Sequence, residues 1–125
     1  LPKANSHVII GASSYQDGLD MYHLSVSGKV RAESVKVYTD WADFVFKKEY
    51  QLPSLEEVEN HINTHGHLKD IPSAEVVEKE GIELGEMNKL LLQKIEELTL
   101  YLIQKDKQIQ SLIQRVDALI TIKTK

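Results

Sequence analysis

The chain has 125 residues, no cysteine, 42% hydrophobic and 27% charged residues, and a formal net charge of −4. These values fit one modest domain and exclude disulfide staples, Cys-based zinc or iron–sulfur sites and thiol chemistry, because the ligands and nucleophiles are absent. No apolar run approaches the roughly 20 residues that cross a bilayer, so membrane insertion is not expected.

The charge is uneven. Residues 1–50 are balanced, residues 51–82 carry −5 and residues 83–125 carry +1. No basic face with interleaved aromatics occurs, so a nucleic-acid partner is not expected. Leu1-Pro2 opens the chain where Met would stand, and no charged-then-apolar leader follows. A processed or truncated piece is therefore expected.

Residues 1–50 read as a β segment. His7-Val8-Ile9-Ile10 ends at Gly11, and a turn-rich stretch from Ala12 to Asp20 follows. Leu24, Val26, Val30 and Ala32 then alternate with polar residues, broken by a turn or bulge at Ser27-Gly28. Val35 and Val37 fall on the opposite parity, which calls for a bulge near Glu33-Ser34 or a change of sheet. So little apolar material cannot bury itself, and pairing with other copies is expected.

Residues 51–82 read as a cap of two short helices. Ser54-Leu55-Glu56-Glu57 is a capping box, Leu55, Val58, Ile62 and His65 share one stripe, and Gly66 supplies a left-handed stop. Ser73 caps a second helix that ends at Gly81. Trp41, Phe44, Phe46, Leu55, Val58 and Ile62 are the residues expected to pack the cap.

Residues 83–125 carry a heptad seam. Spacing of 4-3-4-3 from Leu84 selects Leu84, Asn88, Leu91, Ile95, Leu98, Leu102, Lys105, Ile109, Leu112, Val116, Leu119 and Lys123, nine of the twelve apolar. Leu91, Ile95, Leu98, Leu102, Ile109, Leu112, Val116 and Leu119 are the expected oligomerisation contacts. Asn88 suits the start of the coil, and the Lys105 and Lys123 stems can lie along the seam with their ammonium groups in water. A helix of roughly 40 residues is on the order of 60 Å long, too long for this chain to cover, so partner helices must come from other chains. β-branched a with Leu d favours parallel dimers. The apolar flanks Leu92, Tyr101, Ile113, Ile120 and Ile122 broaden the stripe towards three helices, unless some of them cover the cap of their own chain.

The runs Val35–Phe46, Tyr50–Glu59, Ile71–Ala74, Gly81–Asn88 and Lys94–Tyr101 resemble, in order, the C-terminal domain of fibre-like proteins of Bacteroidetes bacteria and their phages. Leu24–Ala32 is similar to the short β repeat preceding that domain, so the likeness covers about residues 22–103. Lys69 departs from it, standing where a proline is expected in the His-Leu-Pro block. In layout the chain also resembles, more distantly, the intramolecular chaperone domains that end phage tailspikes. The resemblance implies an intertwined homotrimer located outside the cell or on a virion. The expected fold is α+β: a β-repeat stalk (1–50), a two-helix cap (51–82) and a long parallel coiled-coil helix (83–125). The expected role is structural, setting chain register at the end of a tail fibre, because local heptad contacts form before distant strands can match.

Enzymatic and metal chemistry are not expected, and no cofactor is implied. His61, His65 and His67 form a His-x3-His-x-His cluster, but His65 lies on the apolar stripe and no carboxylate is clearly placed to join it. The related tailspike chaperones cleave themselves with a serine and a lysine; Ser34 with Lys36 lies near the β-to-cap boundary here, without the Ser-Asp followed by Leu-Lys pattern. Gly81 and Gly85 form no phosphate loop, since no Gly-Lys-Ser/Thr follows. Two other roles compete. One is a receptor- or glycan-binding fibre tip using Tyr15, Tyr22, Tyr38 and Trp41; the other is a cytosolic coiled-coil adaptor.

Overall fold

The computed structural model describes residues 7–11 and 16–124. Small sheets precede three helices, an α+β composition, in two compact units, Leu1–Lys36 and Val37–Lys125. Residues 37–50, grouped by sequence with the β segment, belong with the helices.

In the first unit, β1 (Val8–Ile10) pairs in parallel with β4 (Leu24–Val26), and β2 (Gln16–Asp17) pairs antiparallel with β3 (Asp20–Met21). Val8 lies opposite Leu24 and Ile10 opposite Val26, so these four apolar side chains share one face. The Ser27 amide donates to the Ile10 carbonyl at 2.8 Å and extends the ladder past the strands. This brings the Ser27 carbonyl against Gly11, which has φ of +66° and where a Cβ would sit 3.3 Å from that oxygen. A side chain there would meet both strain and crowding.

The alternation beyond Gly28 does not become a strand. Residues 29–43 carry no regular structure, and Val30, Val35 and Val37 are exposed, so neither the expected strand nor its bulge near Glu33-Ser34 forms within one chain. Among the described residues no neighbouring strand pairs with their backbone groups, and an unpaired strand has no ladder to hold it. Residues 12–15, including Tyr15, lie outside the described residues.

In the second unit the punctuation read from sequence forms as expected. α1 (Leu55–His65) starts in a complete capping box: the Glu57 amide donates to Ser54 Oγ at 3.1 Å, and the Ser54 amide donates to Glu57 Oε2 at 2.7 Å. Gly66, with φ of 74°, ends α1 and donates its amide to the Ile62 carbonyl at 2.8 Å. α2 (Ala74–Glu80) is capped by Ser73 and stops at Gly81. α3 (Leu84–Lys123) runs for 40 residues without a break.

The core of this unit is small. Ala42, Val45 and Tyr101 are buried, together with the polar Gln93 and Glu97 and the small Gly85. Neither α1 nor α2 buries a residue completely.

Candidate functional site

α3 has two dissimilar faces over residues 84–102. At 100° per residue, the buried residues Gly85, Gln93, Glu97 and Tyr101 occupy one side of the helix. Leu91, Ile95, Leu98 and Leu102 lie between about 140° and 200° away from Gln93, on the opposite side. Those four are exposed, Leu98 at 63% and Leu102 at 71%. The chain therefore packs its cap against a polar stripe and leaves the apolar seam bare. Beyond Tyr101 every described α3 residue is exposed, including Ile109, Leu112, Val116 and Leu119. All eight seam residues thus lie at the surface along one helix.

A polar clamp joins cap and helix. Glu97, only 6% exposed, accepts the Tyr50 hydroxyl, Gln93 Nε2 at 3.0 Å and Lys94 Nζ at 3.1–3.2 Å. Lys94 also lies 3.6 Å from Asp70 Oδ2, and the Tyr101 hydroxyl donates to the Pro53 carbonyl at 2.7 Å. Burial alone would raise the Glu97 carboxyl, but hydrogen bonds from Tyr50, Gln93 and Lys94, with the Lys94 charge, hold it below the usual carboxylate range. Burial, reinforced by the Glu97 carboxylate, pushes the Tyr50 phenol up to about 12. The Tyr50 hydroxyl is thereby kept as a donor and the Glu97 carboxylate as an acceptor.

Packing selects residues other than the expected ones. Phe44 and Val58 are half-buried, but Trp41 is 64% and Phe46 59% exposed, and Leu55 and Ile62 also lie at the surface. Ala42 and Val45 fill the interior of the single chain, while Phe44 meets the Tyr50 ring with centroids 5.7 Å apart. α1 is turned towards His61, so Val58 and His61 face inward in place of the whole Leu55–Ile62 stripe. Of the apolar flanks, Tyr101 is buried and Leu92 half-buried against their own chain, while Ile113, Ile120 and Ile122 are exposed.

An open groove of about 660 Å³ lies between the loop before α1, α1 itself, the loop after it and α3, with Tyr50, Pro53, Val58, His61, Asp70 and Lys94 among its walls. The His61 and His65 rings stack 4.2 Å apart at the end of α1. Among the described residues, no group of three or more His, Cys, Asp or Glu is arranged to hold a metal ion. Ser34 and Lys36 are exposed and lie outside any regular element. No helix among the described residues is long and apolar enough to cross a membrane.

Sequence reasoning missed Gln93, Glu97, Tyr50 and Gly85. For the three on α3 the signal is the four-residue spacing Gly85, Lys89, Gln93, Glu97 and Tyr101, which hydrophobic periodicity ignores because most members are polar or small; nothing local marks Tyr50. Searches against protein families, curated proteins and solved structures found no match to the chain.

Proposed function

We propose that this chain is the C-terminal trimerisation and register-setting domain of an elongated fibre, acting through a parallel three-stranded coiled coil of α3. The observation that carries this reading is the bare seam of Leu91, Ile95, Leu98, Leu102, Ile109, Leu112, Val116 and Leu119, opposite the face that the chain uses for itself. Covering such side chains is worth roughly 1–2 kcal/mol each, on the order of 10 kcal/mol per chain. Three helices suit the seam better than two. In residues 109–120 the apolar positions, including Ile113 and Ile120, span an arc of about 120°, wider than a strict a/d strip.

The likeness of residues 22–103 to fibre C-terminal domains supports threefold symmetry and a place outside the cell or on a virion. The role is mechanical, with no catalytic step. Three α3 helices in register raise the local concentration of the β segments, where Val8, Ile10 and Leu24 are exposed and Val26 half-buried in a single chain. Sedimentation of the full chain tests the reading. Wild type is expected at three times its 14.2 kDa chain mass, and Leu98→Asp with Leu112→Asp at one. A monomeric wild type, or a variant that still sediments as a trimer, rejects it.

A second reading, a receptor- or glycan-binding fibre tip, draws on Tyr38 and Trp41, which are exposed and three residues apart. Glycan-array binding lost on Tyr38→Ala with Trp41→Ala would favour it.

A further inference from the structure

Neither the seam nor the clamp uses the histidines at the end of α1. The His61 and His65 rings stack with centroids 4.2 Å apart and planes 19° apart, and His67 meets them edge-on at 5.7 and 6.1 Å. His65 Nδ1 donates to the His61 carbonyl at 3.2 Å, and His67 Nδ1 donates to the Leu68 carbonyl at 2.9 Å. His61 Nε2 is buried with no hydrogen-bond partner. An imidazolium at His61 must carry a hydrogen on that nitrogen, where no acceptor lies among the described residues. A proton on any two of the rings also sets like charges about 4–6 Å apart.

The surroundings offer little relief. Around His61 are Glu57 and His65 on its own helix, His67, Lys69 and Asp70 in the following loop, and Tyr50, Lys94 and Glu97 on the other walls of the groove. Each carboxylate among these is already engaged: Glu57 by the Ser54 amide, Glu97 by Tyr50, Gln93 and Lys94, and Asp70 by Lys94. Asp70 is held in a left-handed conformation, φ 68°, that only a few residue types tolerate.

We propose that the three rings form an acid-opened latch: neutral, they stack and hold the end of α1 and the 67–70 loop over α3, and protonated, they separate and release the cap. The latch sits on the clamp side of α3, so it opens without breaking the seam on the other side. Burial first, then the charges of His65, His67 and Lys69, lower the His61 imidazole from its usual value, with Asp70 opposing. A lowered folded-state value favours the neutral ring. The stabilisation is therefore complete above about pH 6.5 and is lost as pH falls from there through the folded-state value. Each proton taken up on opening raises the opening constant by up to about tenfold per pH unit, and only between the folded-state value and about 6.5.

Hydrogen exchange of the full chain, corrected for intrinsic rates and compared at about pH 7.5 and about pH 5.5, tests the latch. Opening within residues 55–71 is expected to rise about three- to tenfold on acidification, tenfold being the ceiling for one proton with an open-state value near 6.5, while residues 103–123 change less than about twofold. The variant His61→Gln/His65→Gln/His67→Gln should lose the response. If that variant is already open at the higher pH, His67→Gln alone decides, and an undiminished acid response in it overturns the latch. An unresponsive wild type, an equal response in a folded triple variant, or parallel opening of residues 103–123 also overturns it. The last outcome would assign the acid response to the assembly as a whole. By NMR the His61 ring should titrate below 6.5, and a value above that refutes the proposal.

Discussion

The Tyr50 hydroxyl donates to Oε1 of Glu97, tying the loop before α1 to the fourth turn of α3 across 47 residues of sequence. The next residue, Leu98, points away from this contact into the bare seam. The bond thus sets the rotation of α3 about its own axis, and with it the direction in which the apolar stripe faces. Tyr50→Phe removes the donor and leaves a buried carboxylate short of one bond, an expected loss of about 1.5–3 kcal/mol in urea unfolding. A double-mutant cycle with Glu97→Gln should return a coupling of at least about 1 kcal/mol. Coupling near zero would mean that apolar packing alone orients the helix.

The same carboxylate sets an acid limit. Its folded-state value lies below that of an unfolded glutamate, so the stability it contributes is present above about pH 4.3 and is lost as pH falls through the folded value. Between about pH 5 and pH 3, wild type should lose more stability than Glu97→Gln, and thermal melts across that range check the difference. Parallel curves would show that Glu97 has no preferential charge stabilisation.

The N-terminal turn of α3 is shaped by a close approach. A Cβ on Gly85 would lie 2.9 Å from Val37 Cγ1 and 3.0 Å from Thr39 Cβ. Val37 and Thr39 lie in exposed chain without regular structure, so they can yield by a few tenths of an ångström. Gly85→Ala should therefore change stability by less than about 1 kcal/mol, since the gain in helix propensity offsets the crowding. Gly85→Leu exceeds that slack and should displace residues 37–45, read as faster proteolysis there with α3 helicity unchanged. Unaltered cleavage in Gly85→Leu would show that the approach is not a constraint.

These cases show which parts of the molecule its sequence discloses. Ser54, Glu57, Gly66, Ser73 and Gly81 act within a few residues of themselves, so their roles are legible in local spacing, and the structure forms every one of those caps and stops. The single long helix follows from the seam period for the same reason. Glu97 and Gln93 were hidden because a buried charge reads as a solvated face until its distant donors, Tyr50 among them, are known. Within one chain Ala42 and Val45 are buried while Trp41 and Phe46 stay exposed, a distribution that residue size and apolarity do not disclose. Val30 with Ala32, and Val35 with Val37, alternate like strand residues but pair with no strand among the described residues.

Ser54 offers a compact test of the cap's own stability. Its side chain and that of Glu57 satisfy one another's backbone amides, and Glu57 is held below the usual carboxylate range by the Ser54 amide first and its hydroxyl second. Ser54→Ala should cost about 1 kcal/mol. Exchange at the amides of residues 55–58 should quicken while residues 103–123 stay as they were. A loss spread evenly over both regions would mean that cap and long helix unfold as one unit.

Removing residues 104–125 separates the two faces of α3 most directly. Every described residue of that segment is exposed, and no hydrogen bond joins its described part to the cap, whereas Gln93, Glu97 and Tyr101 all remain. The shortened chain keeps Leu91, Ile95, Leu98 and Leu102 but loses Ile109, Leu112, Val116 and Leu119. If α3 assembles as proposed, half the seam cannot sustain the same association, because on the order of 4–8 kcal/mol of burial per chain is lost. Sedimentation of the shortened chain should therefore show dissociation at concentrations where the full chain stays assembled. The Tyr50–Glu97 clamp should survive, read as a Tyr50 phenol that still resists ionisation well above its ordinary value of 10.0. If the clamp melts together with the assembly, the cap draws its stability from neighbouring chains, and its docking onto α3 follows association.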